Sequence, residues 1–422
     1  MKNLFTHYRG SYISYVTLYF FAYFTLAIFS SVLPVYLTDI GKSAGEMSFI
    51  MSSSSFFSLV AVPVMGYPCD RTQRPRLISS FLSAGMAIGS LALAASHKTW
   101  TLFLLQGLTM SFFSATQTVS EQLAAGSPYR YGVLRVWGTL GYAAGAQASG
   151  LAVQVFPGPT LFFMAAASSA LTVLGFSSAG GKEIPVPLTG KSDKEDLSSL
   201  SAPRHAGCPD SKLSHTCKRI KRTESPLPSV TSFLRDPRFL LYMFITFLVM
   251  GCAAVNNTYL PLLLKSFDVP TGAIGTALSV GTLVEIPVIL FSHKFMDRFS
   301  SKTLLLTTMV IFAVQYTFYC TASGPWAVII PLVLLKAIAT TLMMMLNLKV
   351  VHNLVSPGLS TVALSIVSAC TGLGSIILQN AGGAFADHFP IRALYLALTG
   401  FALLSLLLSL FLRIEDREKV FG

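Results

Sequence analysis

Twelve stretches of about 20 predominantly apolar residues recur along this chain, and few folds can accommodate them. A backbone that crosses hydrocarbon must satisfy its own N–H and C=O groups, so runs of this length are read as membrane-spanning helices. They fall at 11–37, 46–68, 77–96, 99–120, 133–156 and 159–180, then at 238–264, 272–293, 303–321, 326–348, 359–386 and 393–412. Composition agrees: 53% of residues are hydrophobic and 11% charged, against about 25% charged in soluble chains. The expected fold is an all-α membrane protein of twelve transmembrane helices in two six-helix halves.

The segment between the two sets, 181–235, is rich in Ser, Pro, Lys and Arg and too polar to bury a core. It is expected to be a flexible cytoplasmic linker joining an N-terminal half, 1–180, to a C-terminal half, 236–422. His205, Cys208, His215 and Cys217 lie in it at spacings that match no zinc pattern, so neither a metal site nor a cofactor is expected. The remaining cysteines, 69, 252, 320 and 370, lie within or beside spans, where a thiol serves as a small hydrophobe.

Of the 30 Lys and Arg, 25 fall on one side if the spans alternate in direction from an amino terminus inside the cell. Short loops rich in Lys and Arg stay cytoplasmic, which places both termini in the cytoplasm of a cell membrane. The net charge of +12 is thus a signal of topology, and nucleic acid is not an expected partner. The first span is long and aromatic and lacks a cleavage pattern, so it is expected to be retained as a helix.

Two basic segments, GYPCDRTQRPR at 66–76 and SHKFMDRFSSKTLL at 292–305, each follow the second span of one half. An Asp-Arg pair placed twice at matching points marks the halves as diverged copies, a common construction of secondary transporters. The first segment resembles the loop signature Gly-x-x-x-Asp-Arg-x-Gly-Arg-Arg of the major facilitator superfamily, with Gln73 in place of the second Gly. The resemblance implies that Gly66, Asp70, Arg71 and Arg74 act at the cytoplasmic gate, with Asp297, Arg298 and Lys302 as counterparts; the same cations also fix topology.

YRYGVLRVWGTLGYAAG at 129–145 is similar to the fifth helix of the branch containing lactose permease, phenylpropionate permeases and nucleoside:proton symporters. That likeness implies a substrate-binding role for Arg135, a ring-stacking role for Tyr142, and Gln117 at the position of the arginine's acidic partner. The amide at 117 departs from the sugar-binding pattern. By its own chemistry the Arg135 fork suits a carboxylate or vicinal hydroxyls, and it can equally snorkel to headgroups.

Glu285 in VGTLVEIPVILF and Lys336 in PLVLLKAIATT lie deep in the eighth and tenth spans, where an ionisable residue is costly unless paired or hydrated. They are compatible with a structural pair or with substrate and proton binding, and Glu285 is the expected coupling group. Asn256, Tyr259, Gln315 and Asn347 are further candidates for the cavity, each able instead to bond a neighbouring helix. The resemblance implies alternating-access transport of a small organic molecule, with proton symport the favoured reading and efflux or facilitation the alternatives. A monomer working in the lipid bilayer is expected. Neither His-Glu-x-x-His nor Gly-x-Ser-x-Gly occurs, and GFSSAGGK at 175–182 has the wrong spacing for a phosphate loop, so an enzyme is not expected.

Overall fold

The computed structural model describes residues 11–72, 75–125, 127–129, 131–156, 158–178, 234–296, 298–355, 359–414 and 416, with the backbone alone at 62, 63, 65–72, 75, 122, 125, 131, 132, 292–295 and 361. The chain forms α1 Tyr12–Asp39, α2 Ala44–Thr72, α3 Pro75–Ala94, α4 Thr99–Ala125, α5 Tyr131–Val155 and α6 Thr160–Ser178. After the segment that includes 181–233 come α7 Pro237–Lys265, α8 Thr271–Met296, α9 Ser301–Thr321, α10 Pro325–Leu354, α11 Ser360–His388 and α12 Ile391–Phe411. Among the described residues, nine of these are long and apolar enough by themselves to cross a membrane. The other three, α2, α4 and α5, are as long but carry the Ser52–Ser55 run, Gln117 with Glu121, and Arg135 with Gln147 and Gln154.

Local signals set several boundaries. Asp236 caps α7 by accepting from the Arg238 N–H at 2.8 Å, with Pro237 at the first helical position, where its missing N–H costs nothing. Ser300 caps α9 through the Thr303 N–H. Inside α1 and α10 the winding loosens into π-helix at Ile28–Val32 and Leu332–Lys336. Pro34 follows the first and Pro331 precedes the second; a proline lacks the N–H and crowds the preceding turn, so the ladder must adjust nearby.

The helix pairings repeat. In the first six helices α1 packs on α5, α2 on α4 and α3 on α6; in the last six α7 packs on α11, α8 on α10 and α9 on α12. Across the two sets α5 meets α8 and α2 meets α11, so corresponding helices face one another. Large apolar side chains such as Phe81, Ile88, Met344 and Phe411 stand exposed around the perimeter, as lipid contact requires. Trp100 and Trp326, each 69% exposed, begin α4 and α10 at the same end of the bundle, the position of an interfacial aromatic belt.

The end where α1 begins is termed proximal and the opposite end distal. The polar links seen between the first six and last six helices lie in the distal half. Lys265 pairs with Asp39, and Asp387 accepts from the Gly45 N–H at 3.0 and 3.1 Å. Tyr259 bonds Ser48 and the Ala44 carbonyl at 2.7 and 2.9 Å. The Gly272 N–H donates to Gln154 at 3.1 Å. Deeper, Asn380 donates to Ser52 and Ser279 donates to the Ala143 carbonyl. Ser52, Ser279 and Asn380 each sit eight residues from the distal terminus of their helix, about 12 Å in at the helical rise.

Small residues permit the closest contacts. A Cβ on Gly141 of α5 would collide with the Phe20 backbone of α1, which cannot rotate away as a side chain could. Gly141→Ala should therefore separate α1 from α5 at a cost of about 1–3 kcal/mol. The check is thermal unfolding in detergent: Gly141→Ala should melt below the parent, whereas Gly400→Ala, which meets open space, should not.

Candidate functional site

Arg135, one turn into α5, leans across to α1 and α4. Its guanidinium lies over the Tyr23 ring, 4.4 Å from the centroid, and its Nε is 3.8 Å from Glu121 Oε1. The same carboxylate accepts from the Tyr19 hydroxyl at 3.3 Å, and Gln117 donates to the Tyr23 hydroxyl. Arg135 is 21% and Glu121 29% exposed, so the pair borders open space between helices.

The acid beside Arg135 is therefore Glu121, one turn beyond Gln117 on the same face of α4. The resemblance implies position 117 for this acid, where the chain carries an amide. The i,i+4 relation of Glu121 to Gln117 was the signal that could have found it. In the aromatic first span Tyr15, Tyr19 and Tyr23 recur every fourth residue and are buried toward α4 and α5.

Tyr142 lies two turns further along α5. Its hydroxyl bonds Ser30 at 2.8 Å and Ser31 at 3.3 Å, both in the π-segment of α1. Glu285 of α8 acts electrostatically on Tyr142, and is itself acted on by Lys336 of α10 and by Arg135. Glu285 and Lys336 stop short of a direct ion pair among the described residues, and both are half-buried. Lys336 ends the second π-segment. Arg135 and Tyr142 of the first six helices are thus linked electrostatically to Glu285, and Glu285 to Lys336, in the last six, while Gln117 bonds Tyr23 beside Arg135.

The remaining candidates are placed elsewhere. Asn256 accepts from Tyr395 at 3.3 Å, and Gln315 donates to Tyr319 at 3.1 Å, in a buried cluster of α7, α9 and α12. Asn347 accepts from Tyr242 at 2.6 Å, joining α10 to α7. Tyr259 belongs to the distal links described above. Gly66, Asp70 and Arg71 fall on the α2 backbone, with side chains outside the description. Arg74 and Asp297, like the four His and Cys of the linker, lie outside the described residues. Arg298 is exposed, and Lys302 donates to the Leu410 carbonyl of α12 at 2.9 Å. Among the described residues no group of His, Cys, Asp and Glu could hold a metal ion.

The model of the MFS_1 like family matches residues 12–397. The chain belongs to this major facilitator family. Its relatives include the maltose permease of Geobacillus stearothermophilus, 24% identical over 407 residues and 94% of each chain. The putative nucleoside transporter YegT of Escherichia coli is 22% identical over 410 residues, 91% of this chain and 89% of that protein. The crystal structure of the nucleoside transporter NupG superposes with a TM-score of 0.77 at 14% identity, covering 95% of this chain and 98% of that one, a likeness of fold. This major facilitator protein is a multi-pass membrane transporter and not an enzyme.

Replacing Glu121 by Gln removes the carboxylate that lies 3.8 Å from the Arg135 Nε. A hydrogen bond to a charged group contributes about 1.5–3 kcal/mol, so solute binding to Glu121→Gln should weaken roughly 10- to 150-fold. The double variant Gln117→Glu, Glu121→Gln should recover part of that loss, since both positions share a face. Calorimetric titration with the transported solute reads both; unchanged affinity in Glu121→Gln would remove the acid from the site.

Proposed function

We propose that this protein takes up a small hydroxylated organic solute across the cytoplasmic membrane by alternating access, coupled to protons. The observation that carries this reading is the convergence of Arg135, Glu121, Glu285 and Lys336 between two helix sets whose seen polar links are distal. Halves 1–180 and 236–422 rock about that space, joined through 181–235, and the conformation is closed distally with the cavity facing the proximal side. The excess of Lys and Arg on the proximal side supports its assignment as cytoplasmic, with both termini there. A monomer contains the whole site.

Relatives named as a maltose permease and a putative nucleoside transporter support a solute rich in hydroxyls, a sugar or nucleoside. The chemistry is compatible: Glu121 can accept from hydroxyls and the Arg135 fork can donate to a vicinal pair. Tyr142, tethered by Ser30 and Ser31, offers a ring of fixed orientation beside them. Glu285 takes and releases the coupling proton, being a carboxylate within a span that has no fixed ion-pair partner among the described residues. The resemblance assigns Gly66, Asp70, Arg71 and Arg74, with Asp297, Arg298 and Lys302 as counterparts, to a cytoplasmic gate.

Proteoliposomes with an imposed pH gradient, inside alkaline, should accumulate a maltose-like sugar or a nucleoside, and a protonophore should abolish the accumulation. Glu285→Gln should lose accumulation while retaining equilibrium exchange of labelled solute. Accumulation by Glu285→Gln would overturn its role in coupling.

The distal links should also set the balance between states. Asp387 stands at the α2 N-terminus and the Lys265–Asp39 pair is exposed, each contributing about 0.3–1 kcal/mol. The variant Asp387→Ala, Lys265→Ala should shift the ratio of outward- to inward-open protein several-fold toward outward-open. Labelling of a cysteine introduced at Ser52 by an impermeant maleimide should accelerate accordingly; an unchanged rate would show that apolar packing alone closes this end.

A further inference from the structure

The proximal ends of α8, α9 and α10 are tied together by polar side chains. Lys349, near the end of α10, is buried. It donates to the Met296 carbonyl at the end of α8 and, at 2.8 Å, to the Phe299 carbonyl just beyond. The last carbonyls of a helix have no partner within it, and a buried ammonium needs acceptors, so each requirement meets the other. Phe299 leads into Ser300, whose hydroxyl accepts from the Thr303 N–H as the cap of α9. The Ser301 N–H, another amide that the helix itself cannot satisfy, donates to the two carboxylate oxygens of Asp416 at 3.0 and 3.2 Å. The Ser301 hydroxyl donates to the same carboxylate. Asn353 of α10 donates to that carboxylate at 2.9 Å and to the Ser301 hydroxyl at 3.1 Å.

Asp416 reaches this position on a short strap beyond α12. The helix ends at Phe411 and Leu412 turns extended, with φ −73° and ψ 121°. Leu412 is buried, Arg413 is exposed and Ile414 packs against the core, the alternation of an extended segment. The strap thus runs from the end of α12 to the start of α9 and the end of α10, where a carboxylate is also favoured by the α9 dipole. Between these ties lies the turn from α8 to α9. Exposed Arg298 stands in it and Lys302 follows it, held in turn by the Leu410 carbonyl.

We infer that Asp416 is a positioning residue: through the Ser301 amide it fixes the α8–α9 turn, and with it Arg298 and Lys302, at the proximal end of the second half. This role rests on the reading of that turn as part of a cytoplasmic gate. Outward-open protein requires the gate to be shut, so release of the strap disfavours the outward-open state.

The test is hydrogen–deuterium exchange of the purified full chain in detergent, read by mass spectrometry on peptides that cover 298–303. Asp416→Ala should speed exchange there by about tenfold or more, the effect of losing a hydrogen bond to a charged group. Asp416→Asn, which keeps one acceptor oxygen without the charge, should fall between the variant and the parent. In a background carrying Ser52→Cys at the distal end, Asp416→Ala should slow labelling by an impermeant maleimide several-fold, whereas a tail that merely loosened the fold would speed it. Unchanged exchange at 298–303 would overturn the inference, as would faster exchange with faster labelling. Faster exchange with unchanged labelling would leave the strap in place and overturn the gate reading on which its role rests.

Discussion

Charge in hydrocarbon is the constraint around which this molecule is arranged. Arg135, Glu121, Glu285 and Lys336 carry two charges of each sign into spans that otherwise face lipid or one another. Each is costly to desolvate unless paired, hydrated or replaced by a ligand of matching chemistry. All four are half-buried, neither fully exposed nor sealed in a core. Arg135 has an acid and an aromatic face beside it, whereas Glu285 and Lys336 sense one another without contact. Glu285 and Lys336 make no ion pair with one another among the described residues.

At the distal end the links are modest: an exposed ion pair, a carboxylate on a helix N-terminus, tyrosine and amide hydrogen bonds. Each contributes on the order of 1 kcal/mol, which is suitable for a gate that must open with a few kcal/mol in hand. Gly45 has a part in this, because a Cβ there would strike the Asp387 carboxylate. Deeper in, Gly150 and Gly275 let α5 and α8 approach backbone to backbone, so closure relies on shape as well as on polar contacts.

Much of the fold could be read from the chain because the bilayer imposes a length scale on apolar runs. The boundaries of α1, α7, α9 and α12 fall within two residues of the apolar stretches, since hydrophobicity ends where the helix leaves lipid. The site was less legible. Arg135, Glu285 and Lys336 stand out as charges in apolar surroundings, but Glu121 escaped because position-by-position transfer fixed on residue 117, while a helix presents 117 and 121 on one face. Asn256 and Gln315 looked like cavity residues and are buried beside tyrosines, because polarity in a span reveals the need for a partner and not which side the partner is on. The π-segments had only Pro34 and Pro331 to announce them, and a proline in a membrane helix is equally consistent with a simple kink.

Those π-segments connect the loosened backbone with the charged site. Ser30 and Ser31 hold the Tyr142 hydroxyl from one of them, and Lys336 closes the other. Wide turns are weaker than α-helical ones because their hydrogen bonds are less well aligned, so they are where a helix can adjust at least cost. Placing the tyrosine's anchors and the lysine on such turns lets each respond to its surroundings without breaking the long helix that carries it. A directly bonded Glu285–Lys336 pair would fix both helices at one spacing. Held apart, the two groups can exchange partners as α8 and α10 shift, and in the proposed transport cycle such an exchange would tie solute binding to the position of the halves.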